Sequence, residues 1–159
     1  MPESAKGAGV ALVVGASGGI GRALLEHYLA DPGFAQVIAV SRSQQPAELL
    51  RHGARLRWLG CDYSQASIDE VLRSADTMHC RLSRVVICNG ILHNDSVAPE
   101  KSLLKLSASA MQEVLHANVV VPSLWVAALS KVLRGDDACG DDGMVIADLR
   151  VADHAAIDS

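Results

Sequence analysis

Residues 14–23 read Val14-Gly15-Ala16-Ser17-Gly18-Gly19-Ile20-Gly21-Arg22-Ala23, and what stands on either side of this run decides the fold. Upstream, residues 8–14 are mostly small or β-branched, which reads as a strand. Downstream, Ile20, Ala23, Leu24 and Tyr28 recur at helical spacing. The run is therefore a glycine turn between a strand and a helix. Side chains in such a turn would hold a phosphate away from backbone N–H groups and from the helix N-terminus, and glycine removes that obstacle. A bare glycine pattern is weak, but this one follows a strand and opens a helix, the setting that a dinucleotide site requires. A merely structural turn is the alternative.

Moving outward, Asp31-Pro32-Gly33 stops the first helix, and residues 36–40 form a short apolar run suited to a second buried strand. Pro46 and Gly53 frame a short helix, and Leu56 and Trp58 alternating with Arg55 and Arg57 predict an edge strand. After Cys61-Asp62-Tyr63-Ser64 comes a helical stripe of Ile68, Val71, Leu72 and Ala75, then a buried strand over residues 84–88. Residues 107–133 keep three- and four-residue apolar spacing, predicting one long helix bent at Pro122 and capped by Ser109 with Gln112. Its other face, including Val119, Val120 and Leu124, is apolar too, so a neighbouring helix or subunit is expected to cover it. An acidic loop over residues 135–143 precedes a fifth strand at 144–147. Strands alternating with helices predict a doubly wound (Rossmann-like) α/β fold. About five parallel strands in the order 3-2-1-4-5 would place a ligand crevice beyond the carboxyl ends of strands one and four.

The chain has 159 residues, 50% of them hydrophobic, enough for one core. The expected organisation is a flexible N-terminus over residues 1–7, a dinucleotide-binding domain over 8–147 and a disordered polar tail over 148–159. Fourteen Lys and Arg against 18 Asp and Glu leave a net charge of −4, which argues against a nucleic-acid partner. The first apolar run, residues 10–14, is far shorter than the roughly 20 residues of a membrane span, so no membrane partner and a cytoplasmic location are expected. Four cysteines lie far apart and read as buried thiols, and six histidines show no paired ligand spacing, so no metal site is expected.

The run from Val14 to Ala23, with glycines at 15, 19 and 21, resembles the short-chain dehydrogenase/reductase family. Asp62 after the third strand is similar to that family's adenine-contacting Asp, and Asn118 to its active-site helix Asn. Gly90-Ile91-Leu92-His93 and Pro99-Glu100-Lys101-Ser102-Leu103 resemble its C-factor-like, cell-signalling branch. The resemblance implies an oxidoreductase whose dinucleotide cofactor is bound by Gly15, Ser17, Gly18, Gly19, Ile20, Gly21, Arg42, Asp62, Tyr63, Asn89 and Gly90. It assigns Asn118 a catalytic part, holding a catalytic lysine through water and a backbone bend. A satisfied core Asn is the alternative there, and for Asp62 the alternative is a charge stabilising the next helix. In strand four the family's Asn-Asn-Ala-Gly is replaced by Ile87-Cys88-Asn89-Gly90. At the end of strand two stand Ser41 and Arg42 with no carboxylate. This favours NADP over NAD, because Arg can grip a 2′-phosphate that an acid would repel, an exposed loop Arg being the rival reading.

Carbonyl reduction in this family uses a Tyr whose proton donation is tuned by a Lys four residues later. The two tyrosines here, Tyr28 and Tyr63, are followed at that distance by Pro32 and Ser67, so the chain contains no Tyr-x-x-x-Lys. At the expected Ser position stand Asp148, Leu149, Arg150, Val151 and Ala152. The expectation is a C-terminally shortened member that keeps the cofactor half and is inactive alone. The alternative is a non-catalytic nucleotide-binding module that docks on a second copy or a full-length relative through the 107–133 helix.

Overall fold

The structure is a computed structural model that describes residues 9–76, 82–91 and 106–133. Four parallel strands make one sheet in the order β3-β2-β1-β4: β1 Gly9–Val14, β2 Phe34–Ser41, β3 Leu56–Gly60 and β4 Leu82–Ile87. The fifth strand expected at 144–147, both terminal segments, the 135–143 loop and residues 99–103 lie outside the described residues. The observed order is otherwise the expected doubly wound one.

Strand β1 is central, with Leu12 paired to Ile38 on one side and to Val85 on the other. Because both of its faces are covered, it reads as an uninterrupted apolar run, and Ala11–Val14 are wholly buried. Alternate residues serve opposite cores. Leu12, Val14, Ile38, Val40, Val85 and Ile87 face one layer, formed by α2 (Gln65–Asp76) and α4 (Val121–Leu133). Ala11, Val13, Val37, Ala39 and Val86 face Leu25, Tyr28 and Leu29 of α1 (Gly19–Ala30). The buried stripe of α1 thus lies slightly around from the expected one: Ala23 is exposed, and Ile20, in the first turn, is 38% exposed.

Helix α1 ends where Asp31 accepts the Gly33 N–H at 2.7 Å, a tight turn that launches β2. The segment framed by Pro46 is a 3-10 helix, Ala47–Arg55, broken where Gly53 turns to positive φ. The long apolar helix comprises α3 (Ala108–Leu115), a π-turn (His116–Val120) and α4. Ser107, not Ser109, caps it by accepting the Ala110 N–H, while Ser109 bonds only to the Ser107 hydroxyl. Where a bend at Pro122 was expected, the helix has a π-turn just ahead of the proline. Proline cannot donate to a carbonyl four residues back and its ring crowds that carbonyl, and the wider π-turn relieves both conflicts.

Candidate functional site

The loops that leave the carboxyl ends of all four strands converge on one open cavity of about 290 Å³. This is the crevice at which a doubly wound sheet binds ligands. Gly15, Ser17 and Gly18 enter it from the turn after β1, Arg42 and Ser43 from the end of β2, and Asp62 and Tyr63 from the end of β3. Cys88, Asn89, Gly90 and Ile91 follow β4, and Glu113, His116, Ala117 and Val121 form the wall on the long helix. Eight of the eleven residues expected to bind a cofactor therefore border a single space. Gly19, Ile20 and Gly21 stand beside it in the first turn of α1.

The glycines have separable reasons. Gly15 adopts φ +83°, and a Cβ there would lie 2.7 Å from the Asn89 nitrogen. A Cβ at Gly21 would collide with the Gly15 carbonyl oxygen. Those two positions are fixed by the protein's own packing. At Gly19 a Cβ would meet nothing within 4 Å, and at Gly18 only the Gly15 oxygen at 3.5 Å. Gly18 donates its own N–H to the Gly15 carbonyl at 3.1 Å, so it is at Gly19 that the missing Cβ leaves the positive end of α1 open to a ligand. The turn is pinned to β2, since Gly15 and Ala16 both donate N–H groups to the Val40 carbonyl at 2.9 and 3.1 Å.

Across the cavity, the Arg42 guanidinium lies 5.9 Å from the centre of the Tyr63 ring, a cation–π arrangement. Burial pushes the Tyr63 phenol up to about 12, with the Cys61 thiol adding to the rise and Arg42 and the Gly15 backbone opposing it. Tyr63 has φ 67°, and its ring packs against the core on the α2 and α4 side of the sheet. Its neighbour Asp62 accepts the Ser64 N–H at 2.8 Å, and bonding from Ser64 holds its carboxyl below the ordinary carboxylate range. Asp62 thus lines the cavity and braces the start of α2, so its two readings are compatible.

Asn118 is absent from the cavity lining. From the π-turn its amide donates to the Ile91 carbonyl at 2.6 Å and accepts the Ile91 N–H at 2.8 Å. A Cβ on Gly90 would lie 2.7 Å from the Asn118 Oδ1, so the glycine makes room for this clasp. Asn89 adds a second tie by donating to the Ala117 carbonyl at 3.1 Å, and its own side-chain oxygen is buried with no hydrogen-bond partner among the described residues. Sequence reasoning missed Ser43, Cys88, Ile91, Glu113, His116, Ala117 and Val121 as lining residues. The 113, 116, 117, 121 spacing marks one helix face and was the available signal. Among the described residues no His, Cys, Asp and Glu cluster could hold a metal ion.

A family model described as "KR domain" matches residues 9–131. The spectinabilin polyketide synthase system protein NorA′ of Streptomyces orinoci is 30% identical over 112 residues, which take in 63% of this chain and 3% of that protein. Among solved structures, a carbonyl reductase from Pseudomonas aeruginosa PAO1 in complex with NADP has a TM-score of 0.69 at 24% identity, covering 87% of this chain and 60% of that one. A short chain dehydrogenase from Leptospira borgpetersenii serovar Hardjo-bovis with bound NAD+ has a TM-score of 0.69 at 20% identity, covering 88% and 50%. The chain therefore spans a small fraction of the polyketide synthase and half or somewhat more of the two dehydrogenases. At these identities the structural likeness speaks for the fold.

Proposed function

Because the chain belongs to the KR domain family and has the short-chain dehydrogenase/reductase fold, we infer that it supplies the nucleotide-binding site of an NAD(P)-dependent oxidoreductase, with NADP preferred to NAD. The observation that carries this reading is the single cavity in which the glycine turn, Arg42, Asp62 and Asn89 meet. The residues present fit a dinucleotide. Gly19 leaves an open cradle at the N-terminus of α1, and at the cavity wall Asn89 keeps a buried oxygen with no hydrogen-bond partner among the described residues. Gly18 and Gly19 would hold the pyrophosphate, with Ile20 and Gly21 carrying the first turn of α1 that aims its N–H groups. Arg42, Ser43 and Ser17 would hold the 2′-phosphate, and Asp62 and Tyr63 would border the adenine. When bound, the nicotinamide supplies the hydride. Asn118 acts as a positioning residue, because it holds the Ile91 backbone and does not itself line the cavity. The bound nucleotides of the P. aeruginosa and Leptospira proteins support the same cofactor class.

The helix of residues 108–131 is long and apolar enough to cross a membrane by length and composition alone. Its Val121, Trp125, Ala128 and Leu129 are buried in the core, which supports a core helix of the domain over a membrane span. Calorimetric titration with NADPH and NADH tests the cofactor assignment. NADPH should bind more tightly, and Arg42→Ala should bring the two affinities together. Equal affinities in the unaltered chain would refute the NADP preference.

A second reading, a nucleotide-binding module that docks on a relative, is favoured by one feature. Met111, Leu115 and Val119 recur every four residues along the long helix and are 47%, 53% and 53% exposed. It predicts a heteromer in sedimentation velocity of the chain mixed with a full-length relative, and two unassociated species at every concentration would dispose of it.

A further inference from the structure

We propose that the Ser41 hydroxyl is the positioning group that sets the cofactor preference of this site, acting through Ser17 and Arg42; the inference rests on the NADP reading above. Along β2 the residues facing α1 are Val37, Ala39 and Ser41, and all three are fully buried. Ser41 is the buried polar residue of the described core, at a place where alanine would fill nearly the same volume. Burying a hydroxyl is unfavourable unless it is bonded, so its bonds are what distinguish it from alanine.

Both bonds run to the cavity loops. The Ser41 Oγ donates to the Ser17 Oγ at 2.7 Å and accepts the Ser43 N–H at 3.0 Å. The first bond ties the exposed glycine turn to the end of β2. The second closes a tight turn over residues 41–43, with Arg42 as its middle residue. The Ser41 carbonyl accepts the Cys61 N–H at 3.0 Å, so the anchor is itself held by β3. Ser17, Arg42 and Ser43 all line the cavity, and one buried oxygen fixes all three relative to the sheet. A polar cluster held in advance binds a phosphate without the entropy cost of ordering it. Its loss should fall on the 2′-phosphate, the only group that separates NADPH from NADH.

The test is a cycle of calorimetric titrations with NADPH and NADH on the full chain, Ser41→Ala, Arg42→Ala and the double variant, each with a thermal melt. Ser41→Ala should weaken NADPH about tenfold, the worth of one hydrogen bond, and leave NADH within about twofold. In the Arg42→Ala background it should weaken NADPH by clearly less than tenfold, because the one charged group among the three it positions is gone. A merely structural role would weaken both nucleotides equally and act independently of Arg42, and either result overturns the proposal. Retention of full NADPH preference by Ser41→Ala also overturns it. Absence of any preference in the unaltered chain removes the NADP reading itself and this inference with it, an outcome visible before any variant is compared. Should Ser41→Ala fail to fold, Ser41→Cys, close in size but a weak hydrogen-bonding group, takes its place with the same expected direction.

Discussion

A methyl group added at Gly21 would run into the Gly15 carbonyl oxygen, whereas one added at Gly19 would meet open space. Gly21→Ala should therefore lower stability by roughly 1–3 kcal/mol, as overpacking does, and a thermal melt checks it. The two glycines look alike in sequence. What separates them is the backbone brought close by the turn, which no local pattern displays. The paired acid and phenol at the end of β3 make opposite pH predictions. Asp62 is held below the ordinary carboxylate range by Ser64, so its contribution to stability is complete above that range and is lost as the pH falls through the lowered value. Tyr63 is raised to about 12, so its contribution is complete below the ordinary phenol value of about 10 and is lost as the pH rises through about 12. Alkaline titration of tyrosinate absorbance should show one group ionising near the upper value, and Tyr63→Phe should remove it. A Tyr63 that titrates near 10 would mean that its ring is not buried. Arg42 was legible because a cation without an acid is a chemical pattern, but the Ser41 bonds to Ser17 and Ser43 were not, since one spans 24 residues.

At the scale of the element, Pro122 led to the expectation of a bend in the long helix, and what the helix has is a π-turn at His116–Val120, just ahead of the proline. The proline was readable, while the π-turn and the bonds that the Asn118 amide makes from it were not. That amide satisfies both backbone groups of Ile91, 27 residues away. Asn118→Ala should cost roughly 1–3 kcal/mol for each buried group left unpaired, measured by denaturant unfolding. Loss within the error of the measurement would mean that water replaces the clasp. Gly90 was expected to bind the cofactor, and the structure gives it a prior task, making room for Asn118. Trp125 on α4 is wholly buried between the sheet and α2, and Trp125→Ala should cost about 3–5 kcal/mol in the same experiment.

For the whole molecule, the alternation of apolar strands and amphipathic helices was sufficient to foretell a parallel sheet with strand order 3-2-1-4, because right-handed crossovers leave few other arrangements. The convergence of four loops on one cavity follows from that order. The far wall did not follow, since Glu113 and His116 reach the cavity only through the packing of the long helix against the sheet. The cavity fits a dinucleotide, and the chemistry of proton donation has no Tyr-x-x-x-Lys in these 159 residues to serve it. General acid–base assistance is worth about 10²–10⁴ in rate, so this chain with NADPH should reduce a panel of aldehydes and ketones no faster than its Gly19→Asp variant. Faster turnover would reveal a proton donor other than the family's pair.

The central claim is that this cavity binds a dinucleotide, and calorimetric titration of the chain with NADPH, beside Gly19→Asp, tests it most directly. Saturable one-to-one binding that vanishes in the variant while its thermal melt is unchanged is the predicted result. No heat of binding from a folded chain, or equal binding by the variant, would contradict it.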